Sequence, residues 1–392
     1  MIGLQNEHGI TVVKRRTAED LLLDEGPYAQ LLKEVVAAAK LRGASDIHIE
    51  PNESGVALRF RVDGNLSLYK QVDVQHRESL ILEVKRIFGL AIGVSGRPQD
   101  GRAALPTYRL DLRVSLLPTH FGEKVVMRLL NLDATFEIAE LGFTTVEKKI
   151  LEAAIHLEDG VVVISGPTGS GKTRTLYALL KAIGPKKFNI VTLEDPIEYR
   201  IEGLNQVQVS QKMTFADALR SVLRQDPDVI LVGEVRDAET AKLCFQAAET
   251  GHLVFTTLHA NGATEVIERL YGLGVERLVL ESNLRLSVAQ RLEQKVCKSC
   301  GHTIDGDGLL KIKKAFSTSP QFDPKLLRTK NYEGCAECTD GVKGRVPVLE
   351  WANFEIQNGN RQVKVHQSLE DARVIRAFTG DIDGLEVFRE TV

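Results

Sequence analysis

The sequence predicts an α/β protein whose main domain is built on a parallel sheet, with a smaller α+β domain before it and a four-cysteine module after it. Three observations carry this. In the middle of the chain, short runs of pure aliphatic residues alternate with helix-forming stretches, as strands buried on both faces require. Ahead of them the hydrophobic period changes from helical spacing to strict alternation, the mark of an antiparallel sheet with one covered face. Behind them, four of the five cysteines fall into two Cys-x-x-Cys pairs.

At 392 residues the chain exceeds one ordinary core, and its texture divides it. Residues 1–27 are a poorly patterned leader ending at Gly26-Pro27. Residues 28–130 form the α+β domain: Leu31, Leu32, Val35, Val36 and Ala39 recur at helical spacing, with Gly43 as cap. Asp46 to Glu50 and Val56 to Val62 then alternate, and Asp63-Gly64 signals a hairpin turn. A helix over Glu78 to Leu90 and strands around Arg109 to Leu116 and Glu123 to Leu130 complete the domain. Residues 131–145 read as a linker. The main domain, 146–290, has candidate strands at Val161–Ile164, Ile190–Leu193, Val229–Val232 and Leu253–Phe255. Residues 291–392 hold the cysteine module and a C-terminal helical region.

Composition bounds the function. Hydrophobic residues are 43% and charged residues 26%, the profile of a folded globular protein. The net charge of −3, from 50 basic and 53 acidic residues, does not suit a dedicated nucleic-acid binder, so no nucleic acid is expected as main partner. No apolar run is long enough for a bilayer, and Met1 to Arg16 lacks a signal-peptide core. The expected location is the cytoplasm, with any membrane contact peripheral.

Gly166-Pro167-Thr168-Gly169-Ser170-Gly171-Lys172-Thr173 fits the phosphate-loop pattern G-x-x-x-x-G-K-[ST], between an aliphatic strand and a helix-forming run. The glycines let backbone amides curl around phosphate at a helix N-terminus. Lys172 is expected on the β- and γ-phosphates of ATP, and the Thr173 hydroxyl on Mg²⁺.

Acids follow at the carboxyl ends of the next strands, where such sheets bind ligands. Glu194 and Asp195 end one run, and Glu234 follows another after Gly233. One carboxylate orients or deprotonates the attacking water and another steadies Mg²⁺; Glu234 is the first candidate for the catalytic acid. Loop solvation or helix capping is the competing reading of Glu194 and Asp195. His259, after the strand starting at Leu253, is either a γ-phosphate sensor or a satisfied core histidine.

Cys297, Cys300, Cys335 and Cys338 supply four thiolates, enough for tetrahedral zinc. Residues 301–334 separate the pairs, a longer gap than in the most compact zinc ribbons, and Leu309 to Phe316 is a plausible helical filler. Such a module could instead bind a partner protein or nucleic acid. Cys244, between Leu243 and Phe245, reads as a buried apolar residue.

The motifs together resemble a known family. Leu193-Glu194-Asp195-Pro196-Ile197-Glu198-Tyr199 looks like its aspartate box, and Leu223 to Asp237 resembles its variant Walker B. Thr250-Gly251-His252 through His259-Ala260-Asn261 resembles its histidine box, and Ala44 to Pro51 its N-terminal signature. The family is the secretion-traffic ATPases of type II secretion, type IV pilus assembly and retraction, and type IV secretion. The resemblance spans residues 28 to 350. It implies a RecA-like P-loop ATPase domain, a PAS-like N-terminal domain and a homo-hexamer whose domains move as ATP turns over. It also implies an inner-membrane platform protein as partner and N-terminal arginines reaching the nucleotide. Arg113 and Arg128 sit in matching segments; ordinary strand salt bridges are the alternative. Tetracysteine inserts are typical of assembly-type members and absent from the retraction type. Assembly members also usually carry a further docking domain at the N-terminus, whereas the first helix here is expected from Tyr28.

Overall fold

The computed structural model describes residues 3–5, 11–13, 17–22, 24, 26–316, 323–357 and 360–389. The chain divides into two compact units, Met1–Ala134 and Thr135–Val392.

In the N-terminal unit, helix α1 (Pro27–Leu41) buries Leu32, Val35, Val36 and Ala39, the stripe its spacing predicts. Gly43 follows with φ 67°, the left-handed geometry of a helix end. The sheet contains β1 (Asp46–Asn52), β2 (Gly55–Val62) and β3 (Asn65–Asp73). Helix α2 (Arg77–Ile87) precedes β4 (Gln99–Leu105), β5 (Leu110–Thr119) and β6 (Gly122–Asn131). These strands form a six-stranded antiparallel sheet in the order β3-β2-β1-β6-β5-β4. Asp63 and Gly64 turn the β2–β3 hairpin with φ of 50° and 93°, which asparagine, aspartate and glycine tolerate. Edge strand β4 is not foreseen by the sequence, because Gln99-Asp100-Gly101-Arg102 carries no apolar alternation.

The second unit opens with α3 (Thr145–Ala154), capped reciprocally by Thr144 and Glu147. There follow β7 (Gly160–Ser165), α4 (Lys172–Ile183), β8 (Ile190–Glu194), β9 (Asn205–Gln208) and α5 (Phe215–Val222). Next come β10 (Val229–Val232), α6 (Ala238–Glu249), β11 (Leu253–Leu258), α7 (Ala263–Gly272) and α8 (Arg277–Asn283). The chain continues through β12 (Leu284–Val296), α9 (Gly306–Phe316), β13 (Val342–Gln357), β14 (Asn360–Gln367), α10 (Leu369–Phe378) and α11 (Gly384–Val387). Among the described residues the sheet has eight strands in the order β9-β8-β10-β11-β7-β12-β13-β14. The strands from β9 to β12 pair in parallel; β13 and β14 pair antiparallel. Every residue of β7, β8, β10 and β11 is buried, which is why each reads as a largely apolar run without alternation.

Three expectations are corrected. Residues 131–145 are not simply a linker: Phe136 and Ile138 are buried, and the Phe136 ring meets Tyr177 and Tyr199 edge-on. The boundary at 290 falls inside β12, which runs without a break from beside the phosphate-loop strand to the first cysteine. The C-terminal region is not chiefly helical, since β13 and β14 extend the sheet; Val348, Leu349, Trp351 and Ala352 are all buried, so β13 shows no alternation to read. Cys244 lies buried on α6, and burial pushes its thiol up to about 12.

Candidate active site and metal centre

The carboxyl ends of β8, β10, β11 and β7, four neighbours in the sheet, deliver the predicted groups to one edge. From β7 the chain enters the phosphate loop, Gly166 to Thr173. Gly166 has φ 144° and Gly171 φ 86°. A Cβ at Gly166 would lie 2.4 Å from the Gln290 main-chain oxygen, and one at Gly171 would lie 2.9 Å from Gln290 Nε2. Glycine is therefore required at both places to let the loop close against β12. Lys172 donates from Nζ to the carbonyls of Gly166 (2.8 Å) and Pro167 (3.1 Å), across the hollow of the loop. Ser170 Oγ is buried there with no hydrogen-bond partner among the described residues. A glycine-lined cradle, a poised amine and an unsatisfied hydroxyl at a helix N-terminus fit a bound phosphate. Thr173 is exposed in the first turn of α4.

Gly233 occupies the place directly after the β10 run, and a Cβ there would lie 2.9 Å from the Leu193 carbonyl oxygen. The first side chain the loop can offer is thus Glu234. Its turn is tied down: Gly233 N–H donates to Leu193 O, Val235 N–H to Thr257 O, and the Thr257 hydroxyl to Gly233 O. Glu234 Oε2 accepts from Arg236 Nε (2.8 Å) and pairs with its Nη2 (2.7 Å), while Oε1 lies 3.1 Å from His259 Nε2. The His259 side chain is 52% exposed, which removes the core-histidine reading. Burial lowers the Lys172 amine from its ordinary range, Glu234 opposes that shift and Arg291 adds to it. Asp195 is exposed, and its charge acts on the Arg236 guanidinium. Glu234, His259, Asp195 and Lys172 therefore share one electrostatic neighbourhood.

Glu194 does not join it. It is buried, with Oε1 accepting from the hydroxyl of Thr192 (2.6 Å) and from Gln206 Nε2 (3.1 Å), and Oε2 accepting from the Tyr177 hydroxyl. Burial and the neighbouring carboxylate raise the Tyr177 phenol far above its ordinary value, so it stays a donor. Tyr177→Phe is expected to cost ~1–3 kcal/mol of stability by taking a donor from a buried carboxylate. A melting midpoint unchanged in Tyr177→Phe would contradict this.

Arg113 and Arg128 belong to the N-terminal unit. They face each other across β5 and β6 on a rung that reads Arg102, Arg113, Arg128, Asp46, Arg61. Arg128 Nε donates to Asp46 Oδ1 at 3.2 Å, the strand salt bridge weighed as the alternative.

The four cysteines converge where β12 ends. Their sulfurs all lie within 4.8 Å of one another. Cys297 and Cys335 are 3.9 Å apart, Cys300 and Cys338 3.6 Å, Cys335 and Cys338 3.5 Å. Zinc–sulfur bonds of ~2.3 Å at tetrahedral angles separate sulfurs by ~3.8 Å, so the donor set fits one zinc ion. The Cys335 amide donates to Cys338 Sγ at 3.2 Å, steadying that knuckle.

The type II/IV secretion system protein family matches residues 22–380. The chain belongs to that family. A type IV pilus assembly ATPase, PilB of Acinetobacter baylyi, is 40% identical over 337 residues, covering 84% of this chain and 58% of that protein. The chain thus spans under two thirds of that relative's length. Among solved structures, the pilus retraction motor PilT with bound ADP is 31% identical, with a TM-score of 0.53 over 68% of this chain and 79% of PilT. The ATPase DotB of Legionella pneumophila shares the fold, with a TM-score of 0.69 and 20% identity over 94% of this chain and 97% of DotB.

Arg236, Gln290, Arg291 and Tyr177 were not anticipated as members of this secretion-family site. Arg236 stands two residues after Glu234, and Gln290 follows the apolar pair Val288-Ala289 on a strand that carries several other polar residues. Both signals are present but nonspecific. Among the described residues no helix is long and apolar enough to cross a membrane.

Proposed function

We propose that the chain hydrolyses ATP and that, as a homo-hexamer, it couples hydrolysis to assembly of a type IV pilus or a type II secretion pseudopilus. The observation that carries this is Glu234 at the sheet edge, turned by Gly233 and held by Arg236 and His259, with its charge acting on Lys172 of the phosphate loop. The loop amides and Lys172 bind the phosphates, and the Thr173 hydroxyl holds Mg²⁺, which supplies charge neutralisation on the phosphate oxygens. Glu234 orients or deprotonates the attacking water, with Asp195 assisting and His259 reporting the state of the γ-phosphate. Glu194 acts at one remove, bracing β8 against α4. Arg113 and Arg128 are the arginines proposed to steady charge on the γ-phosphoryl group.

The cysteine cluster supports assembly over retraction, the activity named for PilT. The partner proposed is an inner-membrane platform protein, reached from the cytoplasm by peripheral association; no nucleic acid is required. Zinc at Cys297, Cys300, Cys335 and Cys338 is expected at about one ion per chain. Elemental analysis finding no metal after gentle purification would sink that assignment. For the function, Lys172→Ala placed in the source organism should abolish surface pili or secreted proteins. Excess pili would instead mark a retraction motor.

A further inference from the structure

We propose that Gln290, on β12, is the positioning residue of the phosphate loop. This rests on the nucleotide-binding reading of that loop. Gln290 is 2% exposed, a polar side chain in the interior of the sheet. Its Nε2 donates to the Ser170 carbonyl at 2.7 Å, and its Oε1 accepts from the Thr175 hydroxyl at 2.9 Å. A carbonyl can only accept, so the amide nitrogen must face Ser170 and the oxygen must face Thr175; the opposite orientation breaks the first bond.

The two anchored residues bracket Gly171, Lys172, Thr173 and Arg174. Gln290 therefore clamps the loop to the first turn of α4 on both sides of the lysine. Its own main-chain oxygen is the atom over which Gly166 closes. Both ends of the loop are thus shaped by one residue far along the chain. The direction of the loop amides and the placing of Lys172 depend on that clamp as well as on the motif's glycines. With it removed, Ser170 O loses its side-chain donor and the Thr175 hydroxyl keeps only the longer bond to the Gly171 carbonyl (3.3 Å), so the loop must shift to satisfy the buried carbonyl.

The test uses the full chain and a fluorescent ADP analogue. Gln290→Met keeps the length of the side chain and removes both bonds. It is expected to weaken binding about tenfold or more, the scale of one buried hydrogen bond. KM for ATP should rise in step, with a smaller change in kcat at saturation. Thr175→Val should weaken binding in the same direction, Thr175→Ser should bind as the unaltered chain does, and the effects of Thr175→Val and Gln290→Met should not add. A tight-binding Gln290→Met, or independent and additive effects, would overturn the proposal. If Gln290→Met does not fold, the comparison of Thr175→Val with Thr175→Ser decides: rescue by serine supports the clamp, and wild-type binding by both refutes it. If the unaltered chain binds no nucleotide, the reading of the phosphate loop itself fails, a separate result.

Discussion

Lys172→Ala is expected to lower ATP turnover at least about a hundredfold, and Glu234→Gln by a similar factor. A hundredfold is ~2.7 kcal/mol of barrier, the scale of losing one key group. The two variants should fail differently. Lys172 is the cation at the mouth of the loop, already depressed by burial, so its loss removes phosphate charge compensation and weakens both binding and turnover. Glu234→Gln keeps volume and a hydrogen-bonding group beside Arg236 and His259, but a neutral amide cannot take a proton. Nucleotide binding should survive in that variant while hydrolysis is lost. Steady-state turnover together with an equilibrium binding titration separates the two patterns. Near wild-type rates in both variants would refute the assignment of the site.

The second large effect lies away from the chemistry. Glu147, 1% exposed on its side chain, pairs with Arg376 Nη2 at 3.0 Å, and that guanidinium is 6% exposed. Arg376 Nη2 also donates to the carbonyls of Gly142 (2.7 Å) and Pro347 (2.9 Å), while Glu147 Oε1 accepts from the Leu349 amide. One ion pair thus ties the start of α3, strand β13 and helix α10 together. Arg376→Leu leaves the carboxylate buried without its cation, and ~3–5 kcal/mol of stability should be lost. Trp351, the single tryptophan, is buried on β13, so its fluorescence reports unfolding of this part of the chain. The double change Glu147→Leu with Arg376→Leu should recover only part of the loss: it removes the buried unpaired carboxylate, but also the α3 cap and the acceptor of the Leu349 amide. A single variant as stable as the unaltered chain would show that the pair contributes little.

The division between what the sequence reveals and what it hides follows from chemistry. Helix α1, the Asp63-Gly64 turn, the phosphate loop and the runs of β7, β8, β10 and β11 were legible because each is dictated locally, by periodicity, positive φ or burial on both faces. Glu194 and Glu234 look alike in sequence, each an acid at a strand end. Their difference lies in partners brought from elsewhere: Tyr177, Thr192 and Gln206 for one, Arg236 and His259 for the other. Strands β4 and β9 were missed because edge strands need little hydrophobicity, and β13 because burial on both faces erases alternation. Gln290 stands more than a hundred positions from the loop it contacts, beyond the reach of any local pattern.

The order of the large sheet has a consequence for solubility. One border is β9, only four residues long, offering a short row of unpaired backbone groups. The other is β14, where Lys364 is held against Glu355 and Arg361 reaches to the Glu281 carbonyl on α8. A growing stack of strands would have to bury those charges or strip them of their partners. Exposed Val363 and Val365 lie on the same strand, and the charged residues between and beside them make that border a poor template for another chain.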